Sequence, residues 1–262
     1  MNKHERELFE LVLGCQITVR IIPKNTTDGL GLEQQLQELA CPACGLCVAV
    51  KSNEKWLLLE DVLTSSSKHG WLPATSCADK VVHYVLSQIL YNMFEIQDVE
   101  MQEVFYDLPD PADAVNILWL QGKAIGFYTV KLKDSVNEAT SERYAMDTLD
   151  TAYIQPSHRR CGHGLAMVQE FVSSRIGKEV GFSAPISSAM RGVLEQFLRD
   201  NPAWRESMWE VSGTGGDGNR KLLWLSLSAK RKLQDHNSCN TAGKRSRLEE
   251  GRPECSSTSL SP

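Results

Sequence analysis

Residues 152–165 read Ala152-Tyr153-Ile154-Gln155-Pro156-Ser157-His158-Arg159-Arg160-Cys161-Gly162-His163-Gly164-Leu165. An apolar, β-prone run ends at Ile154, Pro156 closes it, and a helical pattern opens at Gly164 and continues to about residue 175. The loop that opens a helix leaves backbone N–H groups unpaired at the positive end of the helix dipole. Glycines at alternate positions let the backbone come close to an anion and take up conformations closed to other residues. Arg159, Arg160 and His163 add positive charge at the same place. The spacing therefore marks Arg159, Arg160, Cys161, Gly162, His163 and Gly164 as a candidate anion-binding loop, within a candidate cofactor-binding strand–loop–helix that runs from Ile154 to Leu165. Cys161, inside the loop, reads as a small filler or a redox-sensitive thiol.

Working outward, Ser76 followed by Asp79 reads as a capping box. Val82, Leu86, Ile89 and Met93 then repeat at helical spacing. The runs 115–120 and 124–130 flank Gln121-Gly122-Lys123 and read as a hairpin with apolar residues on both faces, as in strands covered above and below. A strand over about 145–154 leads into the loop. Behind the 164–175 helix follow a strand at 180–183, a helix at 187–199 stopped before Pro202, and a strand pair at 208–211 and 221–227. The result is an α/β chain with a mixed sheet.

This order of elements, with Arg159-x-x-Gly162-x-Gly164 between strand and helix, resembles the GNAT acyl-CoA N-acyltransferase fold. The resemblance implies acetyl-CoA or coenzyme A as cofactor, its pyrophosphate on the loop. The strand near Ala152–Ile154 would splay from its neighbour and bond the pantetheine arm. It also implies a carboxylate on that strand acting as base, with Asp147 and Asp150 as candidates. Asp150 is preferred because it shares side-chain parity with Ala152 and Ile154. One part of the pattern is missing: where the family usually has Asn and then Tyr, the helix carries Ser187, Ser188 and then Phe197, which has no proton to donate, while Glu195 could donate one only with a raised pKa.

A second resemblance rests on residues 81–91, on 117–131 (Ile117-Leu118-Trp119-Leu120-Gln121-Gly122-Lys123-Ala124-Ile125-Gly126-Phe127-Tyr128-Thr129-Val130-Lys131) and on Leu149-Asp150-Thr151. These segments look like the soluble lamin-associated protein family over most of 45–228, with this chain as a short paralogue. That likeness implies a nuclear setting, with lamina or nuclear-envelope proteins as partners, more than it implies catalysis.

Residues 1–75 read as an N-terminal extension packed on the core: a strand at 16–22, an amphipathic segment at 30–40, and a hairpin from 45–50 and 56–60. Cys41, Cys44 and Cys47 have a spacing that suits zinc, but a structural site needs four ligands. Cys15, His69 and Cys77 are candidates for the fourth, and none recurs at a second paired spacing. Reduced cysteines leading into the hairpin are the favoured reading.

The chain has 262 residues, 42% of them hydrophobic, and eight cysteines. No apolar run reaches the roughly 20 residues of a membrane helix. The N-terminus carries both signs of charge and does not read as a secretory signal, so reduced thiols in the cytosol or nucleus are expected. The whole chain carries −5; residues 229–262 hold seven Lys or Arg against four acids, a net of +3, which leaves −8 for residues 1–228. So acidic a body is unsuited to nucleic acid, whose affinity comes from neutralising phosphates. The tail has no aromatic residue and few aliphatics, which predicts disorder. Its Lys230-Arg231 and Lys244-Arg245-Ser246-Arg247 match a two-part nuclear import signal, implying an import receptor as partner and a nuclear location with some cytoplasmic protein.

Two functions stay open at this level. One is a silent or weakly active acyl-CoA-binding interaction module, favoured by the missing Tyr. The other is an N-acetyltransferase acting on a protein or small-molecule amine.

Overall fold

A computed structural model describes residues 18–21, 36–40, 47–52, 55–94, 109–110 and 112–228. The import-signal residues, the tail expected to be disordered, and Cys41 and Cys44 of the zinc reading lie outside these residues. Four short strands, β1 (Thr18–Ile21), β2 (Gln37–Ala40), β3 (Cys47–Ser52) and β4 (Lys55–Leu58), form an antiparallel sheet in sequence order. The expected hairpin is β3–β4, with Ser52 opposite Lys55. The end of the amphipathic segment, Gln37–Ala40, is a strand, its residues paired along β3.

The second sheet has seven strands: β5 (Gly70–Pro73), β6 (Ala114–Leu120), β7 (Lys123–Lys131), β8 (Asp147–Ile154), β9 (Val180–Ser183), β10 (Met208–Val211) and β11 (Arg220–Leu222), laid side by side in chain order. From β5 to β8 neighbours run antiparallel; β8, β9 and β10 run parallel; β11 turns back. Its edge strand β5 comes from ahead of Ser76, so the large sheet begins inside the N-terminal region. Gln121 and Gly122 at the β6–β7 turn both have positive φ, 49° and 76°, which lets a tight turn follow the strands' right-handed twist.

Helix α1 (Cys77–Tyr84) starts on the expected capping box: Ser76 Oγ accepts from the Asp79 N–H and the Asp79 carboxylate accepts from the Ser76 N–H. It continues as a π-helical turn over Val85–Leu90 and one more α-turn over Tyr91–Phe94. The wider turn displaces the apolar stripe, so Val82, Leu86 and Ile89 are buried while Met93 is exposed. α1 lies between the two sheets. Val82 and Leu86 pack on Ile117, Trp119, Phe127 and Tyr153 of the large sheet, while Tyr84, Val85 and Ile89 pack on Ala40, Cys47 and Val50 of the small one.

Helices α2 (His163–Ser173) and α3 (Ser188–Asp200) cover the opposite face of the large sheet. There Val168, Phe171, Leu194 and Phe197 meet Tyr128, Val130, Leu149 and Phe182. Neighbours Phe127 and Tyr128 thus point into different layers, which is why this hairpin is apolar throughout. The expected α/β class, mixed sheet and GNAT-like order of elements are all present. One expected element differs: the second strand of the last pair stops at Leu222, and 223–228 is helical. Leu223 and Leu227 are buried four residues apart and Leu225 between them is 61% exposed, a helical rather than an alternating pattern.

Candidate functional site: a strand fork beside a helix N-terminus

The site is built by β8 failing to stay in step with either neighbour. Against β7 it pairs Val130 with Leu149 and then Tyr128 with Ala152, so Asp150 and Thr151 together face Thr129. This β-bulge is held by the Thr151 N–H donating to Thr129 Oγ1 at 3.2 Å. It also breaks the alternation that linked Asp150 to Ala152 and Ile154: Leu149 and Ala152, three apart, join the same core layer. Against β9 the parallel pairing covers Asp147–Val180, Thr148–Gly181 and Leu149–Phe182 and goes no further. Beyond it β9 follows β10, the Ala184 N–H donating to Val211 O at 2.8 Å. Pro185, next in the chain, has no N–H to give. The two strands therefore part into a fork, with β8 from Asp150 to Ile154 along one arm.

The two carboxylates expected on β8 are in different situations. Asp147 is committed to structure, accepting from Arg175 Nε at 2.7 Å and from the Lys133 N–H at 2.8 Å. Asp150 is exposed at the apex of the fork, where its Oδ1 accepts from Ser183 Oγ at 2.6 Å. Close by, Lys131 Nζ bridges Asp110 and Asp113 at 2.7 Å each. Burial raises the Asp113 carboxyl to about 6, against the pull of Lys131. Burial alone would lower Lys131, but its bonds to Asp110 and Asp113 carry it above the ordinary lysine range, helped by the charge of Asp150.

At the far end of β8 the chain turns into α2. Gln155 fastens the turn, its N–H donating to Ile125 O at 2.8 Å and its amide to Ala124 O at 3.1 Å. Arg159 folds back on the strand: its Nε donates to Ile154 O at 2.8 Å and its guanidinium lies 5.8 Å from the Tyr153 ring. Arg160 and Gly162 both take the left-handed conformation, φ 63° and 83°. Gly162 is the N-cap of α2 and no side chain caps the helix, so its first-turn donors face outward. Arg160, Cys161 and Gly162 are exposed and His163 is half-buried.

The two glycines serve different ends. A Cβ on Gly162 would meet nothing within 4 Å, so its glycine answers to backbone conformation, whereas one on Gly164 would lie 3.1 Å from Val193 Cγ2. Gly164 and half-buried Leu165 thus set the packing of α2 on α3 and the core. On α3, Phe197 is buried at 2% exposure among apolar residues, as far from proton chemistry as its side chain suggested. The structure brings Asp150, Ile154, Arg159, Arg160, Cys161, Gly162 and His163 along one strand–loop–helix. Ser183 and the Lys131 bridge were not legible in the sequence, because both depend on strand register; the Pro185 that ends β9 was the one available signal.

Among the described residues no group of three or more His, Cys, Asp or Glu could hold a metal ion. Cys47 is buried on β3, its thiol donating to Ala49 O. No helix among the described residues is long and apolar enough to cross a membrane.

No family model matches the chain. Over 195 residues it is 36% identical to protein FAM169B of Mus musculus, covering 72% of this chain and 57% of that protein. Over 117 residues it is 30% identical to protein FAM169BP of Homo sapiens, covering 44% and 60% respectively. The chain thus spans less than two thirds of the curated relatives it resembles. Among solved structures it is similar to an aminoglycoside 6'-N-acetyltransferase from Acinetobacter haemolyticus, with 15% identity, 49% of this chain, 88% of that one and a TM-score of 0.31. It is also similar to a ribosomal-protein-alanine N-acetyltransferase from Brucella melitensis, with 16% identity, 49% and 90% coverage and a TM-score of 0.32. These structural likenesses are distant.

Proposed function

We propose that the protein is an acyl-CoA-binding module that works in the nucleus, holding coenzyme A or acetyl-CoA in the fork between β8 and β9. The observation that carries this reading is that the arm of β8 without a β9 partner runs straight into the loop that opens the N-terminus of α2, which no side chain caps. The arm of β8 beyond Leu149 has no β9 partner, and its backbone groups can pair with the amides of a pantetheine chain. At the end of that arm the first-turn N–H groups of α2 and the Arg160 side chain meet a pyrophosphate. Arg159, bonded to Ile154 O, stiffens the corner between the two. Isothermal titration with coenzyme A tests this: saturable heat near one equivalent supports it, and absence of heat at millimolar ligand in folded protein refutes it.

The exposed Asp150 carboxylate at the apex favours a second reading, acetyl transfer to an amine. Asp150 would take the proton from the ammonium, the free amine would attack the thioester carbonyl carbon, and the carbon–sulfur bond would break with coenzyme A leaving as a thiolate that takes up the second proton of the attacking nitrogen. In place of the Tyr that would donate to that thiolate, α3 carries Phe197, which has no proton to give, and Glu195 is the remaining acid candidate. Nuclear entry through an import receptor, and partners at the lamina or nuclear envelope, complete the proposal; they rest on Lys230, Arg231, Lys244, Arg245 and Arg247 and on the family likeness of the sequence.

A further inference from the structure

The fork needs something to hold its apex, because backbone pairing ends there. Just below, β9 is flanked closely on both sides: a Cβ on Gly181 would stand 2.5 Å from Thr148 Oγ1 on β8 and 2.7 Å from Val211 Cγ2 on β10, so a larger residue would have to displace those side chains. One step on, Leu149 faces Phe182, and this is the last pair in register. At the next step the bulge has turned β8, and β9 has given its Ala184 N–H to β10. What spans the gap is a side-chain bond, Ser183 Oγ donating to Asp150 Oδ1 at 2.6 Å. A hydroxyl donating to a carboxylate at that distance is a charge-assisted bond, stronger than a neutral one. The other oxygen, Oδ2, accepts from the Thr151 hydroxyl at 3.4 Å and from no other group among the described residues.

We propose that Ser183 is a positioning residue of the cofactor site: its hydroxyl pins Asp150 across the apex and sets how far apart β8 and β9 stand where the thiol end of the cofactor enters. This rests on the reading of the fork as a coenzyme A site. Without the pin, no hydrogen bond among the described residues ties β9 to β8 beyond the Leu149–Phe182 pair, and the apex is free to change width with nothing favouring the one that fits the arm. The pin also fixes the Asp150 carboxylate through one oxygen, Oδ1, while Oδ2 accepts from the neighbouring Thr151 hydroxyl at 3.4 Å. Asp150 therefore shapes the site whether or not it moves a proton.

The pair can be separated from a general structural effect by a double-mutant cycle read in cofactor affinity. Isothermal titration with coenzyme A is carried out on the full chain and on Ser183→Ala, Asp150→Ala, the double variant, Ser183→Thr and Asp150→Asn, with a melting curve of each free protein. Ser183→Ala and Asp150→Ala are each expected to weaken binding about tenfold, equivalent to about 1.4 kcal/mol. The double variant should be no weaker than either. Ser183→Thr keeps the donor and Asp150→Asn keeps an acceptor oxygen, so both should stay within about threefold of wild type. Melting temperatures of the free proteins should stay within about 2 °C, since an exposed bond adds little to global stability. Ser183→Ala binding as tightly as wild type, or losses from the two alanine variants that simply add, would overturn the pin while leaving the coenzyme A reading in place. Wild type giving no heat would end both.

Discussion

Gly126, on β7 opposite Ile154, and Gly162, at the start of α2, answer to different physics. A Cβ on Gly126 would stand 2.5 Å from the carbonyl oxygen of Tyr153 in the neighbouring strand. That atom belongs to the backbone and cannot swing away, so β7 and β8 must separate to admit a methyl group. Gly126→Ala is expected to destabilise the fold by about 2 kcal/mol, in the range for overpacking a tight site. That is a drop of roughly 4–8 °C at the usual conversion for a domain of this size, read in a melting curve. Gly162 has open space but a φ of 83°, so Gly162→Ala should lose only about 1 kcal/mol from backbone strain. Gly162→Asp adds a negative charge where the pyrophosphate would sit. Titration of this variant with coenzyme A should give no heat, while its melting temperature should match that of Gly162→Ala to within a few degrees.

At the scale of elements, α1 joins the two sheets, and two of its features can be tested. Ser76→Ala removes one half of the capping box and should lower stability by about 1 kcal/mol in a denaturation curve. His83, on the same helix, is 1% exposed with its ring edge-on to Phe127 at 4.6 Å. Burial lowers its pKa from 6.5 to about 4. The unfolded chain therefore takes up the proton at higher pH than the folded one. The stability that follows from a neutral His83 is fully present above about 6.5 and is lost as pH falls towards 4, by up to about 3 kcal/mol. Asp113 works in the opposite sense over part of this window: its pKa is raised to about 6, so falling pH protonates the folded state first and adds stability. The comparison that isolates His83 is wild type against His83→Leu. Stability measured by denaturant at pH 7 and pH 5 should fall for wild type by clearly more than for the variant, and equal falls would contradict the burial account.

The elements legible in the sequence are those whose signal is local. Ser76 with Asp79, the Gln121-Gly122 turn, the 180–183 strand and the 187-capped helix needed no knowledge of partners. The misread stretch, 223–228, has Leu223, Leu225 and Leu227 at strand-like spacing, and only the burial of two of them, with the third left exposed, decides for helix. The π-turn in α1 and the bulge at Asp150–Thr151 were hidden for a related reason. Each inserts one residue into a regular period, and nothing in composition marks where. The glycine loop that carries Arg160, Gly162 and His163 between β8 and α2 was legible as a motif. The opening of the fork was not, since it follows from where β8 and β9 stop pairing.

At the scale of the whole molecule, the acidic body and the basic end divide the chain by charge, −8 against +3. If Lys244, Arg245 and Arg247 form the second half of an import signal, their replacement by Ala in a fusion too large to diffuse through nuclear pores should shift fluorescence from nucleus to cytoplasm. An unchanged distribution would remove the import proposal and leave the coenzyme A reading untouched, because the two rest on separate parts of the chain. The central claim is that the fork and the α2 N-terminus form one cofactor site, and hydrogen–deuterium exchange with and without saturating coenzyme A measures it by location. The account predicts slowed exchange in peptides covering 150–166 and 183–186, with β1 to β4 unchanged. Exchange that is unaltered over 150–166, or slowed only elsewhere, would contradict it.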